Sequence, residues 1–345
     1  MGALKPTLQD MATILKVSKS TVSRALSGDP RIAQATRERV TSLAEGIGYR
    51  PNPIAQGLAT RRTNTIGLAV PHAPRSFSDP FYLEFLGSVG DAAMKHGYSL
   101  FLSAADGDGN GAGAYRAHVE LAGSTRVDGM ILTEPRASDE RFAMLKDAGV
   151  PSVFLGIASD PDTSWVSGDN SGGACAAVAA LIALGHTRIA CITGPDEQTA
   201  SRARFQGYRS ALSNAGIGLD RNIVASGDFT QAGGYEAMKT ITESLFRFSA
   251  VFASNDVMAI GAMRALREAG LAIPDDVSIV GFDGISFGEY VDPPLATVRQ
   301  PIEDLGRAAV EVLIEKMNSD SALPIHRLLP VEFRAAASMG PVRCE

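Results

Sequence analysis

Read alone, the sequence predicts an N-terminal all-α helix-turn-helix domain followed by an α/β body of two doubly wound parallel-sheet lobes. Apolar residues between Thr7 and Gly48 recur at helical spacing in three short runs. From Thr65 onward, short apolar runs alternate with amphipathic ones in two successive series. Charge divides the chain at nearly the same place. Residues 1–62 hold ten Lys or Arg against four carboxylates, net +6, whereas residues 63–345 hold 22 basic and 34 acidic groups, net −12.

The first helix follows Thr7, which caps it, with Leu8, Met11, Ala12 and Leu15 on its apolar side and Asp10 favouring its N-terminus. It should stop near Lys16. Ser18 caps a second helix whose Val22, Ala25 and Leu26 face the first, leaving Lys19, Ser20, Ser23 and Arg24 outward. Gly28-Asp29-Pro30 breaks the chain, and a third helix opens at Thr36, with Val40, Leu43, Ala44 and Ile47 inward and Gly48 as its stop. Two short helices joined by a tight turn and braced by a third suit the major groove. The same pattern also fits a three-helix bundle that binds a protein.

Next comes a segment in which Asn52 can cap and Pro53 suits the first helical position, but Gly57 costs about 1 kcal/mol relative to Ala. A helix this short is marginal alone and should form only when packed against something. In the body, strands are predicted at 66–70, 99–103, 127–132 and 150–155, with a helix at 82–96 between the first two. The second series runs helix 172–184, strand 188–192, helix 204–215, strand 250–253, helix 258–268 and strand 277–281. Two such series place a cleft at the carboxyl ends of the strands.

Composition narrows the functional classes. A chain of 345 residues exceeds one hydrophobic core, and 45% hydrophobic with 20% charged residues is ordinary for a globular protein. Cys175, Cys191 and Cys344 lack metal-ligand spacing and fit reduced thiols. Residues 1–7 hold no apolar run like a signal peptide, and no stretch approaches about eighteen uninterrupted apolar residues, so a cytoplasmic protein without a membrane span is expected. The glycine-rich run 107–113 has neither the strand–helix setting of a dinucleotide fold nor a phosphate-loop lysine. The five histidines are scattered and no nucleophile elbow occurs. An enzyme on a nucleotide-binding body is therefore disfavoured, and no cofactor or metal is expected. A basic head on an acidic body points to a polyanion partner for the head alone, although a basic segment can also be plain solvated surface.

Several motifs resemble the LacI/GalR family of bacterial transcription regulators. In the head they are Thr7-Leu8-Gln9-Asp10-Met11-Ala12, Val17-Ser18-Lys19-Ser20-Thr21-Val22-Ser23-Arg24-Ala25-Leu26 and Gly48-Tyr49-Arg50-Pro51-Asn52. In the body they are Gly185-His186-Thr187-Arg188, Arg204-Phe205-Gln206-Gly207-Tyr208, Asn255-Asp256-Val257-Met258, Gly281-Phe282-Asp283 and Pro294-Leu295-Ala296-Thr297-Val298.

The resemblance implies operator DNA as a partner, with Lys19, Ser20 and Arg24 at base-reading positions, Lys19 fitting a phosphate contact equally well. Thr7, Ser18, Thr21 and Ser23 cap helices or touch phosphate. It implies a hinge helix at 51–62 in which Asn52, Ala55 and Gln56 lie near the minor groove and Leu58 wedges between base pairs. It further implies a periplasmic-binding-protein-like body at 63–345, a homodimer and a small effector, a mono- or disaccharide, bound by Arg204, Phe229, Asn255, Asp283 and Phe81. Arg75, in a loop longer than the family pattern, would extend over the cleft or face solvent. Gly156 stands where several relatives carry Asp, and Gln198 and Ala200 stand where purine-responsive relatives carry Arg and Thr, which favours a sugar.

The expected division is 1–50 for the DNA-binding domain, about 63–166 and 299–327 for the first lobe, and about 167–298 and 328–341 for the second. A helix near 302–318 rejoins the first lobe, and a strand near 328–333 returns to the second. The function implied is a repressor relieved by its ligand. The alternatives are a sugar-binding protein without a DNA role and a corepressor-dependent regulator with a non-sugar ligand.

Overall fold

A computed structural model describes residues 6–50, 62–70, 79–104, 126–244, 247–319 and 323–343. Two compact units emerge, Met1–Thr63 and Asn64–Glu345. The smaller contains α1 (Leu8–Leu15), α2 (Lys19–Leu26) and α3 (Gln34–Gly46). Met11, Ala12, Val22, Ala25, Val40 and Ala44 form its buried centre, the residues that helical spacing selects. Thr7 and Asp10 make a reciprocal capping box, and Lys16 ends α1 in a left-handed conformation, φ 54°. The third helix starts two residues before the expected Thr36. Ala33 is its cap without a side-chain bond, and the Thr36 amide already donates to the Ala33 carbonyl.

The larger unit holds two six-stranded sheets among the described residues. The first contains β1 (Thr65–Val70), β2 (Ser99–Ala104), β3 (Gly129–Leu132), β4 (Ser152–Leu155), β5 (Trp165–Gly168) and a late strand, His326–Leu329. The late strand is β11, and the order β11-β5-β4-β3-β1-β2 is parallel throughout. Among the described residues, α4 (Pro80–Lys95) and α5 (Arg141–Asp147) attend this sheet.

The second lobe follows with α6 (Asn170–Ala183), β6 (Ile189–Thr193), α7 (Thr199–Asn214), β7 (Val224–Ser226), α8 (Gln231–Glu243), β8 (Ala250–Ala253), α9 (Asp256–Glu268), β9 (Ser278–Asp283) and β10 (Ala296–Arg299). With β12 (Glu332–Arg334) its sheet order is β12-β10-β9-β8-β6-β7, parallel except for β12 against β10. Between β10 and β11 the chain returns to pack α10 (Ile302–Asn318) on the first sheet.

Strands β3, β8 and β9 are buried along their whole length, as expected of parallel sheets covered on both faces. The chain passes between lobes after Gly168, between Arg299 and Ile302, and near Pro330. The crossings expected at 166/167 and 327/328 therefore fall inside β5 and β11, whose ladder pairs Arg327 with Val166 and Leu328 with Ser167. The single strand expected near 328–333 is two strands, one in each sheet. Elements α5, β5, β7, α8 and β10 were not anticipated. The helix expected from residue 204 starts at Thr199, and that expected from 82 starts at Pro80 behind the Asp79 cap. Among the described residues, no helix is long and apolar enough to cross a membrane.

Candidate nucleic-acid interface and ligand cleft

In the smaller unit, Ser18 caps α2 by accepting from the Thr21 amide at 3.1 Å, and its hydroxyl lies 2.8 and 2.7 Å from those of Ser20 and Thr21. These contacts fix the start of the helix. Lys19, Ser20, Ser23 and Arg24 are exposed, while Val22 and Ala25 are buried against the other helices. One face of α2 is thus pinned, and the opposite one presents two cations and two hydroxyls. This is the donor-rich surface that phosphates and guanine edges accept from. Thr7 is exposed but tied into the α1 cap. The expected hinge residues Asn52, Ala55, Gln56 and Leu58 lie outside the described residues, as does Arg75.

In the larger unit, a cavity of about 250 Å³ opens at the carboxyl ends of both sheets. It brings together Phe81, Arg204, Phe229, Asn255 and Asp283 as the sequence predicts, with Gly156, Gln198 and Ala200. Arg204 is buried and already has partners. Its Nε donates to Asn170 Oδ1 at 2.8 Å, one Nη donates to the Ser254 carbonyl, and the other pairs with Asp283 at 3.0 Å. Its guanidinium also stacks 3.9 Å from the Phe282 ring centroid. The arginine is thus first a structural tie between α7, α6, β8 and β9.

Asp283 accepts in addition from Gln300 at 2.8 Å; burial raises its pKa, with Arg204 and Gln300 opposing the rise. Asn255, not Asp256, caps α9, accepting from the Met258 amide at 2.9 Å and donating to the Phe229 carbonyl. Asp256 is fully buried and accepts from Gly284, Ile285 and Thr297, which makes it a brace beneath the cleft.

Phe81 serves two roles. Its ring lines the cavity and packs on the first-lobe core, 6.5 Å from Phe85 and parallel to it. Phe229 enters on a left-handed residue, φ 63°, and a Cβ on Gly194 would collide with its ring. Gly156 adopts φ 112°, and a Cβ there would meet Pro135 at 2.9 Å, so an aspartate would be strained at that place.

Sequence reasoning missed Asp79, Tyr82, Glu134, Asn170, Asp228 and Gln300 in the lining. Most lie just past a strand or at a helix start, a placement rule that could have found them. Asp79 caps α4 through the Phe81 amide at 3.0 Å; burial, then the charge of Asp283, pushes its pKa up to about 7. Three lining residues, Glu134, Phe229 and Asp283, have left-handed backbones, φ 51°, 63° and 117°. Each such non-glycine conformation costs of order 1–3 kcal/mol, and such strain concentrates at ligand sites. No cluster of His, Cys, Asp or Glu among the described residues could hold a metal ion. The arrangement can surround a small molecule with aromatic faces and hydrogen-bonding groups.

Residues 7–52 match the family described as bacterial regulatory proteins, lacI family, and residues 178–338 match the periplasmic binding protein-like domain. The chain is 37% identical over 339 residues to the HTH-type transcriptional regulator CelR of Thermobifida fusca, with 97% of this chain and 98% of that protein covered. The solved transcriptional regulator CelR–cellobiose complex aligns with TM-score 0.75 at 34% identity, covering 97% of this chain and all of that one. The lac repressor dimer bound to operator and the anti-inducer ONPF aligns with TM-score 0.86 at 27% identity, covering 98% and 100%.

An exposed polar helix face in a helix-turn-helix unit, together with a two-lobed body that has a ligand-sized cleft, defines a DNA-binding transcription regulator. The chain belongs to the LacI family.

Proposed function

We propose that the chain is a cytoplasmic repressor, without catalytic activity, whose operator affinity falls when a sugar binds between its lobes. The observation that carries this reading is the cleft itself, in which Phe81 and Phe229 flank Asn255, Asp283 and Gln300. A sugar has apolar faces and a rim of hydroxyls, and such a lining matches both. The solved CelR relative holds cellobiose, which supports a mono- or disaccharide here. Residues 1–50 read DNA, 51–62 form the hinge and 63–345 form the effector and dimerisation body. Lys19, Ser20 and Arg24 contact bases or phosphates, and Thr7, Ser18, Thr21 and Ser23 set the helices against the backbone of the duplex. A homodimer places two recognition helices on a pseudo-palindromic site, as the lac repressor relative is a dimer on its operator.

Thermal-shift screening of the full chain against mono- and disaccharides tests the reading. A ligand at one hundred times its Kd should stabilise the body by about 2.7 kcal/mol. A flat response across the panel would remove the sugar.

A further inference from the structure

Glu134 follows β3, lines the cleft from the first lobe, and is held by Arg141 and Tyr82. Arg141 donates from one Nη to the carbonyls of Thr133 and Glu134, at 2.9 Å each, and is fixed by a buried pair with Asp139 at 2.7 Å. The Tyr82 hydroxyl donates to Glu134 Oε1 at 3.0 Å. From the second lobe, residues 197–199 pair antiparallel with 135–137, with Arg136 opposite Gln198. The Ala137 amide donates to the Glu197 carbonyl at 2.9 Å and the Thr199 amide to the Pro135 carbonyl at 3.0 Å. Gln198 thereby reaches the cleft, which it lines together with Glu134. So a left-handed backbone and a clasp between lobes both serve to present one acidic side chain to the cavity.

The surroundings have the same sign. Asp228 and Asp283 also line the cavity, against Arg204 as its basic residue. Each nitrogen of that guanidinium already serves Asn170, Ser254 or Asp283. Of the helix N-termini at the strand ends, which can attract an anion, those of α4, α6, α8 and α9 are capped by Asp79, Asp169, Thr230 and Asn255, while α7 has no side-chain cap and its Thr199 amide donates to the Pro135 carbonyl. A hydroxyl or ammonium group entering the cleft meets acceptors, whereas a phosphate or carboxylate meets like charge in a partly desolvated space.

We propose that Glu134 is a specificity-determining residue that accepts hydrogen bonds from the effector and disfavours ligands bearing a carboxylate or phosphate. This rests on the reading of the cleft as a sugar site.

Calorimetric titration of the full chain with matched probes tests it: cellobiose against cellobionate, and each hexose of a panel against its uronic acid and 6-phosphate. The neutral member should bind roughly ten-fold more tightly than its anionic partner. Glu134→Gln should narrow that ratio several-fold, while Glu134→Asp, which keeps the charge, should preserve it. If Glu134→Gln does not fold, Glu134→Ala provides the same comparison. Anions bound as tightly as neutral probes, or a ratio unmoved in the Gln variant, overturn the role of Glu134 and leave the sugar site standing. Silence of every probe on a cooperatively folded protein overturns both.

Discussion

At the residue scale, the most constrained group is the Arg204–Asp283 pair, both side chains 7% exposed. Replacing one member leaves the other charged and buried, which is worse than the pair is good. Arg204→Ala should therefore cost about 3–5 kcal/mol of body stability in a denaturant titration, apart from any effect on ligand. Asp79 provides a pH test. Its folded pKa of about 7 lies above the ordinary carboxylate value of 3.8, so the folded state binds the extra proton between those values. Stability from this group is full below about pH 4 and is lost progressively as pH rises to about 7. Asp79→Asn keeps a good helix cap and should flatten the fall in melting temperature between about pH 4 and 7. An unchanged slope would show that the carboxyl is not held in the neutral form.

At the scale of elements, Gly207 explains why Arg204-Phe205-Gln206-Gly207-Tyr208 recurs as a motif. A Cβ there would collide with the Ser171 carbonyl and meet Ala174 Cβ and the Cys175 amide at 2.8 and 2.9 Å. Gly207 thus lets α7 lie against the backbone of α6 and aims Arg204 at the cleft. Gly207→Ala should cost about 1–3 kcal/mol by forcing the helices apart, measurable as a lower unfolding midpoint. On α2, Arg24→Ala should relax discrimination at one base position by about 1–3 kcal/mol, read as the ratio of affinities for duplexes differing at that base. A uniform loss across duplexes would make Arg24 a phosphate contact instead.

Elements with strong periodicity were legible in the sequence. The run from Ile302 to Asn318 falls where the pattern puts it. Short elements such as β5 and β7 were not, because three or four residues carry no resolvable period. The cleft was half legible. Arg204, Asn255 and Asp283 came from motifs, but Glu134, Tyr82 and Gln300 meet only because strand ends far apart in the chain converge. The left-handed backbone at Glu134 also has no signature in residue type.

For the whole molecule, the division of charge matters most. A head of net +6 and a body of net −12 can grip a polyanion through one end only. Binding to duplex DNA should weaken steeply with salt, with a slope of about −0.9 per phosphate neutralised. The cleft lies in the other unit, so its ligand acts on DNA only by changing the body. Under the proposed relief of repression by ligand, reciprocity requires operator DNA to weaken effector binding by the same factor.

The most direct test is an anisotropy titration of a selected operator duplex at moderate ionic strength, alone and with a sugar that raises the melting temperature. Binding should be much tighter to the operator than to random duplex, and the sugar should weaken it. Equal affinity for both duplexes, or an operator affinity indifferent to a bound sugar, would contradict a DNA grip governed from the cleft.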